Sequence, residues 1–346
     1  MQRIPKEHLN ALRKPRFTLD EALERYMQAT AYNRRAGTNQ NTYGVLKNQM
    51  GKLDSVYIDE VTAEKAQIMA GMLKSEGLSD PTVLSYVGLY KSFFNWLIED
   101  AEALDGRNPF SRVKTPSRKS KVCNRLVEPE AIKKILQVEK LSCREGVPII
   151  PLVRFLLTTG CRLGEALHAE WGDFDLQEGY WSILIKPECP SLKGEGWSPK
   201  WKKPRVIKLL PQALHVLKTL PCHRETWGSM KVGGKTEYAR ANFVFTSSRK
   251  VEIDGVKEFR QMRIGDPKRA WGNLLNEAGI QKMQIKSIRK FFNWVLVTQA
   301  RFSHKEAGSY LVKRAASPRI IIMRIISPII LSVDGFFSNF AITPLT

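Results

Sequence analysis

The sequence predicts a mostly α-helical protein with a small β-hairpin or sheet, an α+β fold in two domains. Capped amphipathic segments dominate residues 17–106, and a basic polar stretch follows at 107–126. A β-like alternation is then enclosed by further helical segments within 127–317. The length of 346 residues and the apolar content of 43% also suit about two domains, each with a core of its own.

The first helical domain is expected to follow a basic arm at 1–16. Thr18 and Glu21 match a capping box, which predicts a helix start. A second helix is expected to open at Asp80, as N-cap, ahead of Pro81. Its apolar residues recur at helical spacing and are expected to be core: Val83, Tyr86, Val87, Tyr90, Phe93, Phe94 and Leu97.

The segment 107–126 is predicted to be a basic linker. It carries Lys114, Arg118, Lys119 and Lys121, and between Arg112 and Arg125 it has no acidic residue. Such a segment either lies along a phosphate backbone or is simply solvated. The whole chain has 55 Lys and Arg against 34 Asp and Glu, a net charge of +21, which favours nucleic acid as the partner.

The second domain is predicted to combine helices with one long hairpin. A helix should start at Glu128-Pro129, and an apolar segment follows at 149–157. Strands are expected at 180–185 and 205–209, and further helices at 212–220 and 266–278.

The five cysteines are odd in number and form no C-x-x-C pair, which indicates neither a disulfide framework nor a zinc ribbon. The first residues have no apolar signal region, and no apolar run is long enough to span a bilayer. We therefore expect a reducing, cytoplasmic and nucleoid-associated location, with no membrane partner.

The most specific pattern is T-G-C-R-L-G-E-A-L at 159–167, followed by W-G-D-F-D at 171–175. It resembles the first arginine box of the tyrosine recombinases, the phage integrase family. The competing interpretation is a plain helix in which Arg162 pairs with Glu165. The resemblance extends to residues 17–105, where S-D-P-T-V-L-S-Y and G-R-N-P-F look like the family's helical, SAM-like core-binding domain.

The resemblance implies a set of catalytic residues. Arg162 would be the first arginine, and K-S-I-R would supply Lys286 and the second arginine, Arg289. Counting back from the strand at 205–209 places the catalytic lysine at Lys200. Three neighbouring lysines are alternatives to it: Lys193, Lys202 and Lys203.

These residue types suit phosphodiester chemistry. In-line attack on a phosphodiester builds negative charge on the two non-bridging oxygens, which two guanidinium groups can bind. A lysine can protonate the leaving 5′ oxygen. The resemblance implies a covalent phosphotyrosyl intermediate, with no metal and no cofactor.

The C-terminal part departs from the family pattern. Lys313 stands where the third box has His or Trp, and the expected position of the tyrosine nucleophile falls within 320–323, which has no hydroxyl. Tyr310 is the one tyrosine after Arg289 and lies too early for the family geometry, so it is a rival nucleophile only in a rearranged site. The apolar tail at 318–346 suggests that the reading frame changed near residue 312.

The sequence therefore predicts a site-specific integrase of a mobile element, acting on double-stranded DNA as a homotetramer, with a DNA-bending accessory protein as a further partner. The alternatives are a DNA-binding remnant that does not cut, a type IB topoisomerase, and a basic scaffold for RNA. The residues expected to contact DNA outside the catalytic set are Lys91, Lys114, Arg118, Lys119, Lys121, Lys202 and Lys203.

Overall fold

The computed structural model describes residues 16–34, 36–115, 128–141, 146–190, 196–232, 235–253 and 255–298. The chain divides near residue 124 into two compact units, each with a hydrophobic core of its own. The predicted limits of the arm, the two domains, the linker and the tail stay predictions.

The first unit is helical in its described part. Its helices are α1 (Leu19–Thr30), α2 (Ala36–Met50), α3 (Ala63–Ser75) and α4 (Asp80–Glu99). The predicted capping box is confirmed: the Glu21 N–H donates to the Thr18 hydroxyl at 3.2 Å, and the Thr18 N–H donates to Glu21 Oε2 at 2.9 Å. The helix starts there because both otherwise unpaired donors are satisfied.

Helix α4 provides the centre of this core. The predicted apolar stripe is buried, except that Tyr86 is partly exposed. The predicted N-cap was wrong by one residue, because Ser79 has the extended backbone of the cap and Asp80 is already helical. The core continues beyond the predicted end at 106, since Phe110 stacks on Tyr90 with ring centroids 5.2 Å apart.

The second unit contains six described helices of its own. They are α5 (Pro129–Gln137), α6 (Ile149–Thr159), α7 (Leu163–Leu167), α8 (Pro211–Thr219), α9 (Lys268–Glu277) and α10 (Ser287–Thr298). Three of them confirm the helices expected near 128, 212 and 266, and the apolar segment at 149–157 is also helical. Helix α6 is buried all round, which explains why its sequence is apolar without a polar face.

The predicted hairpin forms a three-stranded sheet. Strand β2 (Tyr180–Ile183) pairs antiparallel with β3 (Arg205–Lys208), and the short β1 (Phe174–Asp175) pairs with β2 on its other side. Both predicted strands were too long, by two residues in β2 and by one in β3. Leu184 and Ile185 are exposed large apolar residues beyond the end of β2.

A second sheet was not predicted. It has four strands in the order β5-β4-β7-β6, made by β4 (Thr226–Val232), β5 (Lys235–Ala241), β6 (Thr246–Ile253) and β7 (Val256–Arg263). Two antiparallel hairpins meet where Trp227 of β4 pairs in parallel with Met262 of β7. The fold is therefore mostly helical with two small sheets, which confirms the α+β prediction. In the part of the chain that the structure describes, no helix is long and apolar enough to cross a membrane.

Candidate active site

The site begins where helix α6 ends. Gly160 closes the helix in the left-handed conformation, with φ +60°. A Cβ at Gly160 would lie 2.3 Å from Cδ1 of Phe292, a buried residue of α10. Glycine is therefore needed here for its backbone angle and for the close approach of α10. This approach brings the segment after α6 next to the first turn of α10.

Arg162 is the N-cap of α7 and is bound to Glu165. The Arg162 N–H donates to Oε2 of Glu165 at 2.8 Å, and Nη1 of Arg162 lies 2.9 Å from Oε1. The Arg162 side chain is 34% exposed, whereas Glu165 is 2% exposed. The ion pair considered as the competing interpretation of this motif is thus present, and it leaves part of the guanidinium open to solvent.

Arg205, the first residue of β3, is a second partner of Glu165. Its Nη2 lies 2.5 Å from Oε2 of Glu165, and both side chains are almost fully buried. Burial by itself raises the pKa of Glu165, but the hydrogen bonds and charges of Arg205 and Arg162 outweigh it, so the net pKa is lowered. Glu165 is therefore a carboxylate that holds α7 and β3 together.

Arg289 reaches the same place from the first turn of α10. Its Nη1 donates to the carbonyl oxygen of Gly160 at 2.8 Å, and its side chain is half-buried. Burial, followed by the positive charge of Arg162, lowers the pKa of Arg289 to about 10. The two arginines are thus close enough to repel each other, yet Arg289 remains charged at neutral pH.

The site thus joins three guanidinium groups and one carboxylate among the residues just described. Glu165 neutralises one positive charge, so the centre keeps an excess that favours an anion. Guanidinium groups bind the two oxygens of a phosphate through paired N–H donors. The neighbouring Cys161 adds no charge, since burial raises the pKa of its thiol to about 12.

Lys286 lies just before α10 and is exposed, one turn from Arg289. Phe292 and Val295 are buried and hold this helix to the core. Lys286 thus lies close to Arg289 along the chain, but among the described residues no hydrogen bond joins it to Arg162 or Arg289.

The lysine candidates of the long hairpin lie just before β3. Lys200 begins a short 3-10 turn, Lys200–Lys202, and Lys200, Lys202 and Lys203 are exposed. Lys202 has a positive φ of 50°, which is unusual for a side chain with a Cβ. Lys193 lies outside the described residues.

A largely buried lysine, Lys186, anchors the segment between β2 and β3. It was not predicted from the sequence. Lys186 Nζ donates to the carbonyl of His168 at 2.9 Å, to Glu170 at 2.8 Å and to Asp173 at 2.5 Å. All three ammonium protons therefore have acceptors. The backbone of Lys186 also exchanges two hydrogen bonds with Trp197, at 2.8 and 2.7 Å.

His168, the C-cap of α7, packs against the same pair of residues. Its ring stacks on Trp197 with centroids 5.1 Å apart, and its Nδ1 lies 2.7 Å from the carbonyl oxygen of Gly164. A carbonyl only accepts, so Nδ1 carries the proton. Burial, then the charges of Arg263 and Lys186, lower the pKa of His168 to about 3. A neutral histidine thus connects α7, whose N-cap is Arg162, to the segment that carries Lys200.

The other predicted site residues fall elsewhere. Lys91 and Lys114 are exposed in the first unit, where the Lys114 N–H donates to Gln67 Oε1 at 2.8 Å. The remaining candidates lie outside the described residues: Arg118, Lys119, Lys121, Tyr310 and Lys313. Sequence reasoning missed Arg205, Lys186, His168 and Trp197. For Arg205 the sequence did carry a signal. In β3 it shares one face with the buried Ile207, whereas the exposed Val206 lies on the other face.

No family model matches the chain. Two curated relatives do. Tyrosine recombinase XerD of Staphylococcus haemolyticus is 20% identical over 175 residues, which are 49% of this chain and 58% of that protein. Tyrosine recombinase XerD of Listeria innocua is 25% identical over 130 residues, 37% of this chain and 43% of that protein. The chain thus spans about half the length of the curated relatives it matches.

Solved structures match over most of the chain. The fold matches those of lambda integrase and of the Tn1549 transposon integrase. A lambda integrase dimer bound to a core site has a TM-score of 0.60 at 17% identity, covering 86% of this chain and 96% of that one. The Tn1549 transposon integrase in complex with transposon right end DNA has a TM-score of 0.61 at 15% identity, covering 89% and 94%. A lambda integrase tetramer bound to a Holliday junction has a TM-score of 0.58 at 17% identity, covering 87% and 79%.

Proposed function

We propose that this chain is a tyrosine-recombinase-type protein that binds duplex DNA and holds one backbone phosphate between Arg162 and Arg289. One observation carries the proposal: two arginines that are 127 positions apart converge at Gly160, in a fold that matches solved integrases. Arg289 donates to a carbonyl oxygen and lies close to a second cation, Arg162, whose side chain is 34% exposed.

Electrostatics supports the same conclusion. Two neighbouring guanidinium groups, one of them half-buried, raise the energy of the site until an anion enters. A phosphodiester oxygen would accept hydrogen bonds from both and relieve their repulsion. The net charge of +21 would draw a polyanion to the chain from a distance.

The proposed chemistry is DNA strand transfer, as in an integrase of a mobile element. The two arginines would bind the non-bridging oxygens as they gain charge, and Lys200 would protonate the leaving 5′ oxygen. Lys286 would add a further positive charge beside them. A tyrosine would form the covalent intermediate, and a homotetramer would exchange strands between two duplexes.

The binding half of this proposal can be tested by a gel shift on duplex DNA at several salt concentrations. Arg162→Gln and Arg289→Gln should each weaken binding, whereas Arg269→Gln, an exposed arginine of α9, is the matched control. Circular dichroism would establish that each variant is folded. Affinity unchanged in both site variants would contradict the proposal.

A second candidate is a DNA-binding form that does not cut. The observation that favours it is the tyrosine pattern: after Arg289 the printed sequence contains Tyr310 alone, and 320–323 has no hydroxyl. A nicked suicide substrate would trap a covalent adduct from an active enzyme. An adduct that disappears in Tyr310→Phe would identify that residue as the nucleophile, and binding without any adduct would support the second candidate.

A further inference from the structure

The second sheet of the second unit is strongly basic. Its four strands carry eight basic residues against three acidic ones, a net of +5. The basic residues are Lys231, Lys235, Arg240, Arg249, Lys250, Lys257, Arg260 and Arg263. A net excess of this kind can be a solvated surface, whereas arginines gathered on one face can form a binding surface.

The strand register places three of these arginines on one face. Directly paired residues project to the same side of a sheet, as do residues two apart in one strand. Trp227 of β4 pairs with Arg240 of the neighbouring strand β5 and with Met262 of the neighbouring strand β7. Arg260 is two residues before Met262 in β7 and pairs with Arg249 of β6, so all of them project to one face. We call Arg240, Trp227, Arg260 and Arg249 the arginine face.

Two of the arginines are stacked on the tryptophan. The guanidinium carbon of Arg260 lies 4.5 Å from the centre of the Trp227 ring, and that of Arg240 lies 5.3 Å away. These contacts leave Trp227 only 8% exposed. The ring thereby restricts both guanidinium groups, of which Arg240 is 73% and Arg260 23% exposed, and this lowers the entropy lost when they bind a ligand.

The pair of Arg249 and Arg260 is the unusual feature. Two like charges directly opposite each other in an antiparallel pair destabilise a sheet. Arg260 has a carboxylate neighbour, Glu258, but Arg249 donates to the neutral hydroxyl of Ser247 at 3.2 Å. The pKa of Arg263 is lowered by burial and, to a smaller extent, by the positive charge of Arg249. An anion between the two arginines would remove this repulsion.

The other face of the sheet is packed against the protein at Gly228. A Cβ at Gly228 would lie 2.6 Å from the Pro190 side chain and 3.1 Å from that of Phe243. Gly228 alternates with Trp227 along β4, so this packing lies on the face opposite the arginines. On the arginine face, Arg249 is exposed and the Arg240 side chain is 73% exposed.

We propose that the arginine face is a second phosphate-binding surface, which contacts the DNA backbone at a place other than the phosphate held by Arg162 and Arg289. The inference rests on the proposed function, because it takes duplex DNA as the ligand. Planar guanidinium groups that are preset by stacking suit phosphate oxygens, and contacts to phosphates carry no base-sequence information. The face would therefore add affinity and fix the position of the domain, not read sequence.

The test is the salt dependence of duplex binding, measured by fluorescence anisotropy with the full chain. The slope of log affinity against log salt changes by about 0.9 for each phosphate contact. R249Q/R260Q should therefore flatten the slope by about 1 to 2. The charge-retaining variant R249K/R260K should keep the slope, and Lys218→Gln, an exposed lysine of α8, should leave it unchanged.

The outcomes separate this inference from the proposed function. An unchanged slope in R249Q/R260Q, together with a flatter slope in Arg289→Gln, would overturn the arginine face and leave the phosphate site standing. A flatter slope in R249Q/R260Q with an unaltered thermal midpoint supports the arginine face. Unchanged binding in Arg162→Gln and Arg289→Gln would instead contradict the proposed function.

Discussion

Arg289 donates a hydrogen bond from Nη1 to the carbonyl oxygen of Gly160, at 2.8 Å and across 129 positions of the chain. Gly160 lies two residues before Arg162, so this bond fixes how closely the two arginines approach. It also depends on the packing of α10 against the end of α6, where Phe292 leaves no room for a side chain at position 160. The spacing of the two arginines is therefore set by a backbone contact and a packed core.

The first prediction concerns Gly160. Gly160→Ala would place a Cβ in a left-handed conformation and against Phe292, so we expect the free energy of unfolding to fall by about 2–4 kcal/mol. Urea denaturation measures this. Gly164→Ala is the matched control, because a Cβ there meets nothing within 4 Å and sits in a helix, where alanine is preferred. Equal stability of the two variants would contradict the close approach of α10.

The second prediction concerns Arg205 and Glu165. Arg205→Met leaves a buried carboxylate with one partner fewer, so stability at pH 7 should fall by about 3 kcal/mol. In the unaltered protein the pKa of Glu165 is lowered, so its contribution is present above the ordinary pKa of a glutamate and is lost as pH falls below it.

The deficit of Arg205→Met should therefore shrink on acidification, because a protonated Glu165 no longer needs a cation. Denaturation curves at a series of pH values measure this. The double variant E165Q/R205M should be more stable than Arg205→Met at pH 7, since it does not bury a carboxylate that has lost Arg205. A deficit that stays constant with pH would argue against this ion pair.

The third prediction concerns the hairpin anchor at Lys186. Lys186→Met removes three hydrogen bonds and leaves Glu170 and Asp173 without their cation. The backbone pair of Lys186 and Trp197 should then open more often, and we expect their amide hydrogens to exchange about 100-fold faster, as for a loss of about 3 kcal/mol. Native-state hydrogen exchange measures it, with Lys218→Met as control. Protection equal to that of the unaltered chain would show that Lys186 does not hold the hairpin.

The fourth prediction concerns His168, whose pKa is lowered to about 3 by burial, followed by the charge of Arg263. Protons then bind more readily to the unfolded chain, so stability is retained above about pH 6.5 and is lost as pH falls below it. The loss from this residue should be about 1.4 kcal/mol per pH unit. His168→Gln should remove that part of the acid sensitivity. If the His168 ring titrated near pH 6.5 in a nuclear magnetic resonance experiment, the effect would be ruled out.

Much of the helical architecture could be predicted from the sequence, because its helices carry local signals. Thr18 with Glu21, and Pro129 after Glu128, mark helix starts through backbone donors that need partners within one turn. The exact cap at Ser79 was missed, since serine and aspartate are both good caps and stand side by side. The hairpin of β2 and β3 could be predicted because its apolar and polar residues alternate.

The second sheet could not be predicted in the same way. Strands such as K-T-E-Y-A-R-A have few β-branched or aromatic residues and almost no apolar alternation. Their pairing depends on contacts made far along the chain, such as Trp227 with Met262 and Gly228 with Pro190. No short window of sequence contains both halves of such a contact.

The site shows the same division. Arg162 and Arg289 could be found from the sequence because each lies in a motif with characteristic spacing, and the structure brings them close together. Arg205 and Lys186 carry no pattern of their own. They became part of the site only through burial next to carboxylates, at Glu165 and at Asp173, and burial of a charged residue is decided by the whole fold.

The most direct test of the central claim is whether Arg162 and Arg289 hold the same phosphate. The salt dependence of duplex binding would be compared for Arg162→Gln, Arg289→Gln and the double variant R162Q/R289Q. If both residues grip one phosphate, the double variant should flatten the slope by about 0.9, no more than a single phosphate contact accounts for. If the slope of the double variant flattened by about twice that value, the two arginines would contact separate phosphates. If the slope changed in none of the variants, neither arginine would contact the DNA.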